Sequence, residues 1–174
     1  EKLKENFDME VTLVHFPLHP ETPAQGQSLE DLFHGRDVDL DTMYARMKRL
    51  MDAEGLDYGP RTHTYNSRLA QELGKWADNQ VAEGEDYSAI HDAIYRAYFV
   101  DGQNIGDVDV LLALAEKVGL PINSVLDVIT NRSAKEAVDV DWKKSKQYGI
   151  TGVPTFVAGE YGLVGAQPYE ALEQ

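Results

Sequence analysis

The sequence predicts an α/β protein in which one strand and a C-terminal β-hairpin bracket a large all-helical block. Two observations carry that expectation. From Asp37 to about Gly149 the apolar residues recur at helical spacing, whereas Thr155-Phe156-Val157-Ala158 and Tyr161-Gly162-Leu163-Val164 are short β-rich runs. Ahead of the helical block, Val11-Thr12-Leu13-Val14-His15-Phe16 is almost continuously apolar and reads as a strand buried on both faces.

In chain order, Leu3 and Phe7 share a helical face at i, i+4, so the first eight residues read as the end of a helix. Pro17 ends the strand that follows. The stretch from Leu18 to about Gly35, with Pro20, Pro23 and Gly26, reads as a surface loop. The spacing of Met43, Met47, Leu50 and Met51 predicts a helix that stops near Gly55. Leu69, Leu73, Trp76, Ala77 and Gln80 predict a second, with Asn66 or Ser67 as its N-cap. A third carries Ile90, Ala93, Ile94, Ala97 and Tyr98. Asp107 caps a fourth, which carries Val108, Leu111, Leu112 and Ala115 and stops near Gly119. Pro121 suits the first turn of a short fifth helix running through Ile129. Ala134, Val138, Asp141, Trp142 and Ser145 mark a sixth, ending at Tyr148-Gly149. Gly159-Glu160 between the two short runs fits a type II′ turn, and Pro168 opens a last helix that reaches Gln174.

Composition narrows the function classes. There are 30 acidic residues against 16 basic ones, a formal net charge of −14. Such a surface repels phosphate backbones, and no basic stripe with interleaved aromatics offsets it, so nucleic acid is not an expected partner. No apolar run approaches the ~18 residues that a membrane-crossing helix requires, and none reads as a membrane partner. The cysteine count is zero, so no disulfide, zinc–thiolate site or thiol nucleophile can be built from these 174 residues.

The segment with chemical content is Gly149-Ile150-Thr151-Gly152-Val153-Pro154-Thr155-Phe156-Val157. A proline directly before a strand removes a ladder donor, which calls for a special turn there. The segment resembles the cis-proline loop of thioredoxin-fold proteins, which leads into a core strand. Phe16-Pro17-Leu18-His19-Pro20, Arg96-Ala97-Tyr98-Phe99-Val100-Asp101-Gly102-Gln103-Asn104-Ile105-Gly106-Asp107 and Gly162-Leu163-Val164-Gly165-Ala166-Gln167-Pro168 are similar, in the same order, to stretches of the FrnE-type branch of the DsbA-like family. The matches span nearly the whole chain.

The resemblance implies a thioredoxin-like fold with a large helical insertion. Residues 1–36 and 149–174 would form the thioredoxin-like domain, and residues 37–148 the insertion with its returning helix. It implies a protein disulfide oxidoreductase or isomerase, with thiol- or disulfide-containing proteins or peptides as partners and no cofactor. In the family a first strand and a CxxC motif precede the residue corresponding to Glu1, so no catalytic residue is expected within this chain. Thr151, Gly152, Val153 and Pro154 are the expected substrate-binding residues. Val153 would pair with substrate backbone as an added strand, and Pro154 would shape the loop. The FrnE-type likeness leans towards a bacterial cytoplasm and leaves the oligomeric state open.

Two other readings stand beside it. One is a cysteine-free thioredoxin-fold module that holds peptides without chemistry. The other is a glutathione-dependent isomerase of the 2-hydroxychromene-2-carboxylate type, related to kappa-class glutathione transferases. Those relatives have a Gly/Ser-x-Asp-Arg-like stretch at the start of the last helix, whereas Gly165-Ala166-Gln167-Pro168 has neither Asp nor Arg. The remaining signals are weak. Asp37, Asp39 and Asp41 imitate an EF-hand opening, but Thr42 and Lys48 stand where Gly and Glu are needed, so helix capping is the better reading. His15 and His19 do not share a helical face, and no metal is expected. Asn131-Arg132-Ser133 is a sequon at the end of a helix. Trp76, Trp142, Tyr95 and Tyr98 read first as core, although the family's insertion overhangs its active site and some could line a substrate groove.

Overall fold

A computed structural model describes residues 2–81 and 84–173, with Lys2 described by its backbone only; Glu1 and Gln174, the ends of the expected first and last helices and domain segments, lie outside the described residues. In chain order the elements are α1 (Lys2–Asn6), β1 (Gln27–Ser28), α2 (Leu29–Leu32), α3 (Leu40–Ala53), β2 (His63–Thr64), α4 (Arg68–Gln80) and α5 (Ala89–Phe99). They continue with α6 (Val108–Lys117), α7 (Ile122–Asn131), α8 (Lys135–Gln147), β3 (Thr155–Ala158), β4 (Tyr161–Val164) and α9 (Tyr169–Leu172). These divide into two compact units, residues 19–137 and residues 2–18 with 138–173.

The unit of residues 19–137 holds the core. Leu73 and Ala77 of α4, Ile90 and Ala97 of α5, Leu111 and Ala115 of α6 and Val125 of α7 are all within 1% of complete burial. Their spacing puts one apolar stripe on each helix, and packing α4 on α5 and α7, and α6 on α5 and α7, buries the four stripes against one another. Each fully buried Leu or Ile contributes roughly 1.5–3 kcal/mol.

The caps act where the sequence places them. Asp107 Oδ1 accepts the Asp109 and Val110 N–H groups at 2.8 and 3.3 Å, and Asp39 Oδ1 accepts those of Asp41 and Thr42 at 3.0 and 3.2 Å. At α4 the N-cap position belongs to Ser67, but its hydroxyl makes no capping bond. Asn66 takes that part, its Oδ1 accepting the Arg68 N–H at 3.0 Å while its amide donates to the Pro20 and Thr22 carbonyls. Pro121 sits at the N-cap of α7 rather than within its first turn, and the helix runs on past Ile129 to Asn131.

A buried charge cluster locks this unit. Glu72 is 2% exposed, and its carboxylate accepts Arg132 Nε at 2.6 Å, Arg132 Nη2 at 2.7 Å and Arg68 Nε at 2.5 Å. Arg68 also donates to the Lys135 carbonyl at 2.8 Å. Arg132 occupies the left-handed C-cap of α7 at φ 54°, a conformation uncommon for a residue with a side chain. Burial pushes the Glu72 carboxyl up, but the hydrogen bonds and charges of Arg132 and Arg68 outweigh it and hold the group below its usual range.

In the unit of residues 2–18 and 138–173, β3 and β4 form an antiparallel hairpin in the register Thr155↔Val164, Phe156↔Leu163, Val157↔Gly162 and Ala158↔Tyr161. Gly159 has φ 60° and Glu160 does not have positive φ, which is the type II′ pattern rather than type I′. Nearly every hairpin residue is exposed. α1 packs on α9, where Asn6 Nδ2 donates to the Tyr169 hydroxyl at 3.1 Å.

Three expectations need correction. Val11–Phe16 forms no strand: residues 8–17 make no ladder, and β3 pairs with β4 alone among the described residues. A strand exists only with a neighbour to bond, however β-prone its sequence. Val11 and Leu13 remain about half exposed, and the His15 N–H is taken by Asp141 Oδ2 at 3.2 Å. The stretch from Leu18 to Gly35 is not wholly loop, since it contains β1 and α2. Nor is the block from Asp37 to Gly149 wholly helical, because β2 pairs with β1 through Gln27↔Thr64 and Ser28↔His63. Two-residue strands lie below what periodicity can register. No helix among the described residues is long and apolar enough to cross a membrane.

Candidate functional site

The loop singled out by sequence joins the end of α8 to the start of β3. The helix closes with Tyr148 N–H on the Lys144 carbonyl at 3.0 Å and Ile150 N–H on the Ser145 carbonyl at 3.0 Å, and Gly149 takes φ 68° to let the chain leave. Thr151, Val153 and Pro154 are exposed and Gly152 is half-buried. The Val153–Pro154 peptide bond is cis.

The main chain around Val153 is held on both sides. The Thr155 hydroxyl donates to the Gly152 carbonyl at 2.7 Å, and the Gly165 N–H donates to the Pro154 carbonyl at 2.8 Å. Gly165 has φ 88°, the left-handed region that favours glycine. Val153 itself, half exposed, makes no hydrogen bond through N–H or C=O to another described residue. A main-chain donor and acceptor are therefore presented at the surface at one end of a two-stranded hairpin. That arrangement suits pairing with an extended polypeptide, not proton transfer, for which no titratable side chain stands in the four-residue loop.

The following Gly165-Ala166-Gln167-Pro168 turn is committed to local structure. Gln167 Nε2 donates to the Val164 carbonyl at 2.7 Å, and Pro168 sits at the N-cap of α9. Asp39 caps α3, and no group of three or more His, Cys, Asp or Glu side chains that could hold a metal occurs among the described residues. Of the four aromatic residues considered for a groove, Trp76 and Tyr98 pack against the helical core, Trp76 stacking on Tyr87 at 5.5 Å between centroids. Tyr95 is 59% exposed and stacks on Phe99, and Trp142 is half-buried. Sequence reasoning overlooked Thr155 and Gly165 as holders of the loop. Their only signal was position, immediately after the proline and immediately after the hairpin.

The model of the DSBA-like thioredoxin domain matches residues 1–174. This chain belongs to that family. The α/β fold with helices inserted between its parts is accordingly a DsbA-like thioredoxin fold. The crystal structure of a "probable DsbA oxidoreductase" from Streptomyces coelicolor superposes with a TM-score of 0.72 at 28% identity, over 87% of this chain and 67% of that one. A "putative protein disulfide isomerase" from Nitrosomonas europaea, at 19% identity and a TM-score of 0.53, covers 77% of this chain and 70% of its own, and shares the fold. The uncharacterized protein YwbO of Bacillus subtilis (strain 168) is 32% identical over 93 residues, 53% of this chain. The chain matches only 45% of that relative's length. DSBA-like proteins are of the thiol–disulfide oxidoreductase type and act generally on proteins that carry thiols or disulfides, yet none of the 174 residues here is cysteine.

Proposed function

We propose that this chain is the substrate-holding part of a thiol–disulfide oxidoreductase of DsbA/FrnE type, whose CxxC motif is contributed by residues outside these 174. The observation that supports the reading most is the loop at residues 151–154. It leaves the Val153 N–H and C=O without partners among the described residues, in a chain matched throughout by the DSBA-like domain model. In the reaction a low-pKa cysteine thiolate attacks a substrate disulfide. One sulfur–sulfur bond forms between enzyme and substrate as the other substrate sulfur leaves as thiolate, and the second cysteine of the motif then displaces the substrate and becomes the enzyme disulfide. Oxidation of a substrate runs the same steps backwards. Val153 would hold the substrate backbone, Pro154 would shape the loop, and Thr151 and Gly152 would complete it. This chemistry calls for no cofactor, and the FrnE-type likeness leans towards a bacterial cytoplasm.

The test is the intact mass and thiol content of the natural gene product, followed by an insulin-reduction assay. Two or more titratable thiols and measurable turnover are expected, and Pro154→Ala should lower turnover about tenfold without unfolding the protein. Unchanged turnover in Pro154→Ala removes that residue from the site. A natural product without thiols favours the second reading, a peptide-holding module, for which the absence of cysteine is the specific observation. The glutathione-dependent isomerase is the least supported, because neither Asp nor Arg occurs in Gly165-Ala166-Gln167-Pro168.

A further inference from the structure

Main-chain pairing with a substrate depends on how rigidly the unpaired groups are aimed. A free N–H and C=O on a mobile loop must be ordered at each binding event, at a cost in conformational entropy. Around Val153 the two neighbouring carbonyls are already fixed. Gly152 O accepts the Thr155 hydroxyl and Pro154 O accepts the Gly165 N–H, at 2.7 and 2.8 Å. The first bond sets the plane of the Gly152–Val153 peptide, and the second holds the Pro154–Thr155 peptide one step further on, since each plane includes the carbonyl concerned. The plane of Gly152 O also carries the Val153 N–H, so the Thr155 hydroxyl sets the direction of that donor directly.

Thr155 is not otherwise needed at this spot. It pairs with Val164 in the hairpin register and is half-buried, a setting that Val would fill equally well as a β-branched residue of the same shape. The hydroxyl satisfies a carbonyl in an exposed loop that water could serve instead. Its distinct effect is to choose one orientation of the Gly152–Val153 peptide. Gly152 has no side chain to restrict that peptide, and a Cβ built there would meet nothing within 4 Å.

We propose that Thr155 is a positioning residue for polypeptide recognition, its hydroxyl holding the Gly152–Val153 peptide so that the Val153 N–H faces an incoming extended chain. The inference rests on the reading of residues 151–154 as the substrate-binding loop and does not require that the chain perform redox chemistry. Thr155→Val removes the hydroxyl and keeps the shape, and Thr155→Ser restores a hydroxyl without the methyl.

The first arm is binding of carboxymethylated insulin B chain, an extended polypeptide with its thiols blocked, to the 174-residue chain, read by fluorescence anisotropy. Thr155→Val should weaken binding three- to tenfold, in line with the ~1 kcal/mol net value of one hydrogen bond, and Thr155→Ser should recover most of it. The second arm is insulin reduction by the natural gene product, where Thr155→Val should raise KM by the same factor and leave kcat within about twofold. Binding of the B chain that is absent, or equal in wild type and Thr155→Val, overturns the inference whatever the redox result. Hydroxyl-dependent binding with no turnover by the natural gene product supports the inference and sinks the oxidoreductase reading instead.

Discussion

The two compact units of this chain use similar fractions of apolar residues to opposite ends. In residues 19–137, four helices bury their stripes so completely that Leu73, Ile90, Leu111 and Val125 have no exposed surface. In residues 2–18 with 138–173, Val153, Phe156, Val157 and Val164 all stay 43–62% exposed, and no residue of β3 or β4 is buried. Between their capped ends the helices supply their backbone hydrogen bonds within one segment, so each needs mainly a face to bury. A strand takes its hydrogen bonds from neighbouring strands and a sheet needs at least one covered face, and a two-stranded hairpin has few of these. Stability accordingly concentrates in the first unit, while the exposed main chain at Val153 lies in the second.

The largest effect that would break this contrast is a cavity in the helical core. Leu73→Ala should cost about 4 kcal/mol, near the upper part of the range for fully buried leucines, and denaturant unfolding would measure it. A loss below about 1 kcal/mol would mean that the core is far looser than its burial indicates. The next is the charge cluster. Glu72→Gln leaves Arg68 and Arg132 without their carboxylate and should cost about 2 kcal/mol at pH 7, less than a fully buried pair because Arg132 is 41% exposed. The Glu72 carboxyl is depressed in the folded protein, so its contribution is complete above the unfolded carboxyl value, roughly 4.3, and is lost as pH falls through the lower folded value. Stability of the wild type measured from pH 7 down to pH 2 should therefore fall more steeply than that of Glu72→Gln; parallel curves would remove Glu72 as a source of acid lability. The smallest effect sharpens the comparison from the other side. Val157→Thr, on the exposed hairpin, should change stability by less than about 0.5 kcal/mol, and a large loss would show that this face is covered in solution.

The helical elements were readable because their determinants are local. The Asp107 and Asp39 caps, the stop at Gly149 and the 3.6-residue stripes of α4 to α8 all act within a few residues of themselves. The hairpin was readable for the same reason, since Gly159-Glu160 fixes its register from within. The Gly152-Val153-Pro154 loop could be found by its resemblance, but not the bonds that hold it. Gly165, which anchors Pro154, is eleven positions away in sequence, and nothing in a glycine's identity names its acceptor. Glu72 and Arg132 lie 60 residues apart, and only the packing of α4 on α7 makes them partners.

By itself, then, the sequence determined the helices and their caps, the hairpin and its turn, the absence of any thiol, and the family likeness that points to the loop after α8. Tertiary structure alone decided that Val11–Phe16 would not be a strand, that Gln27–Ser28 would pair with His63–Thr64, and that a buried carboxylate would find two arginines. The division has one physical cause. A helix, a cap or a tight turn satisfies its hydrogen bonds within a few residues, whereas a strand edge or a buried charge takes its partner from wherever the chain returns.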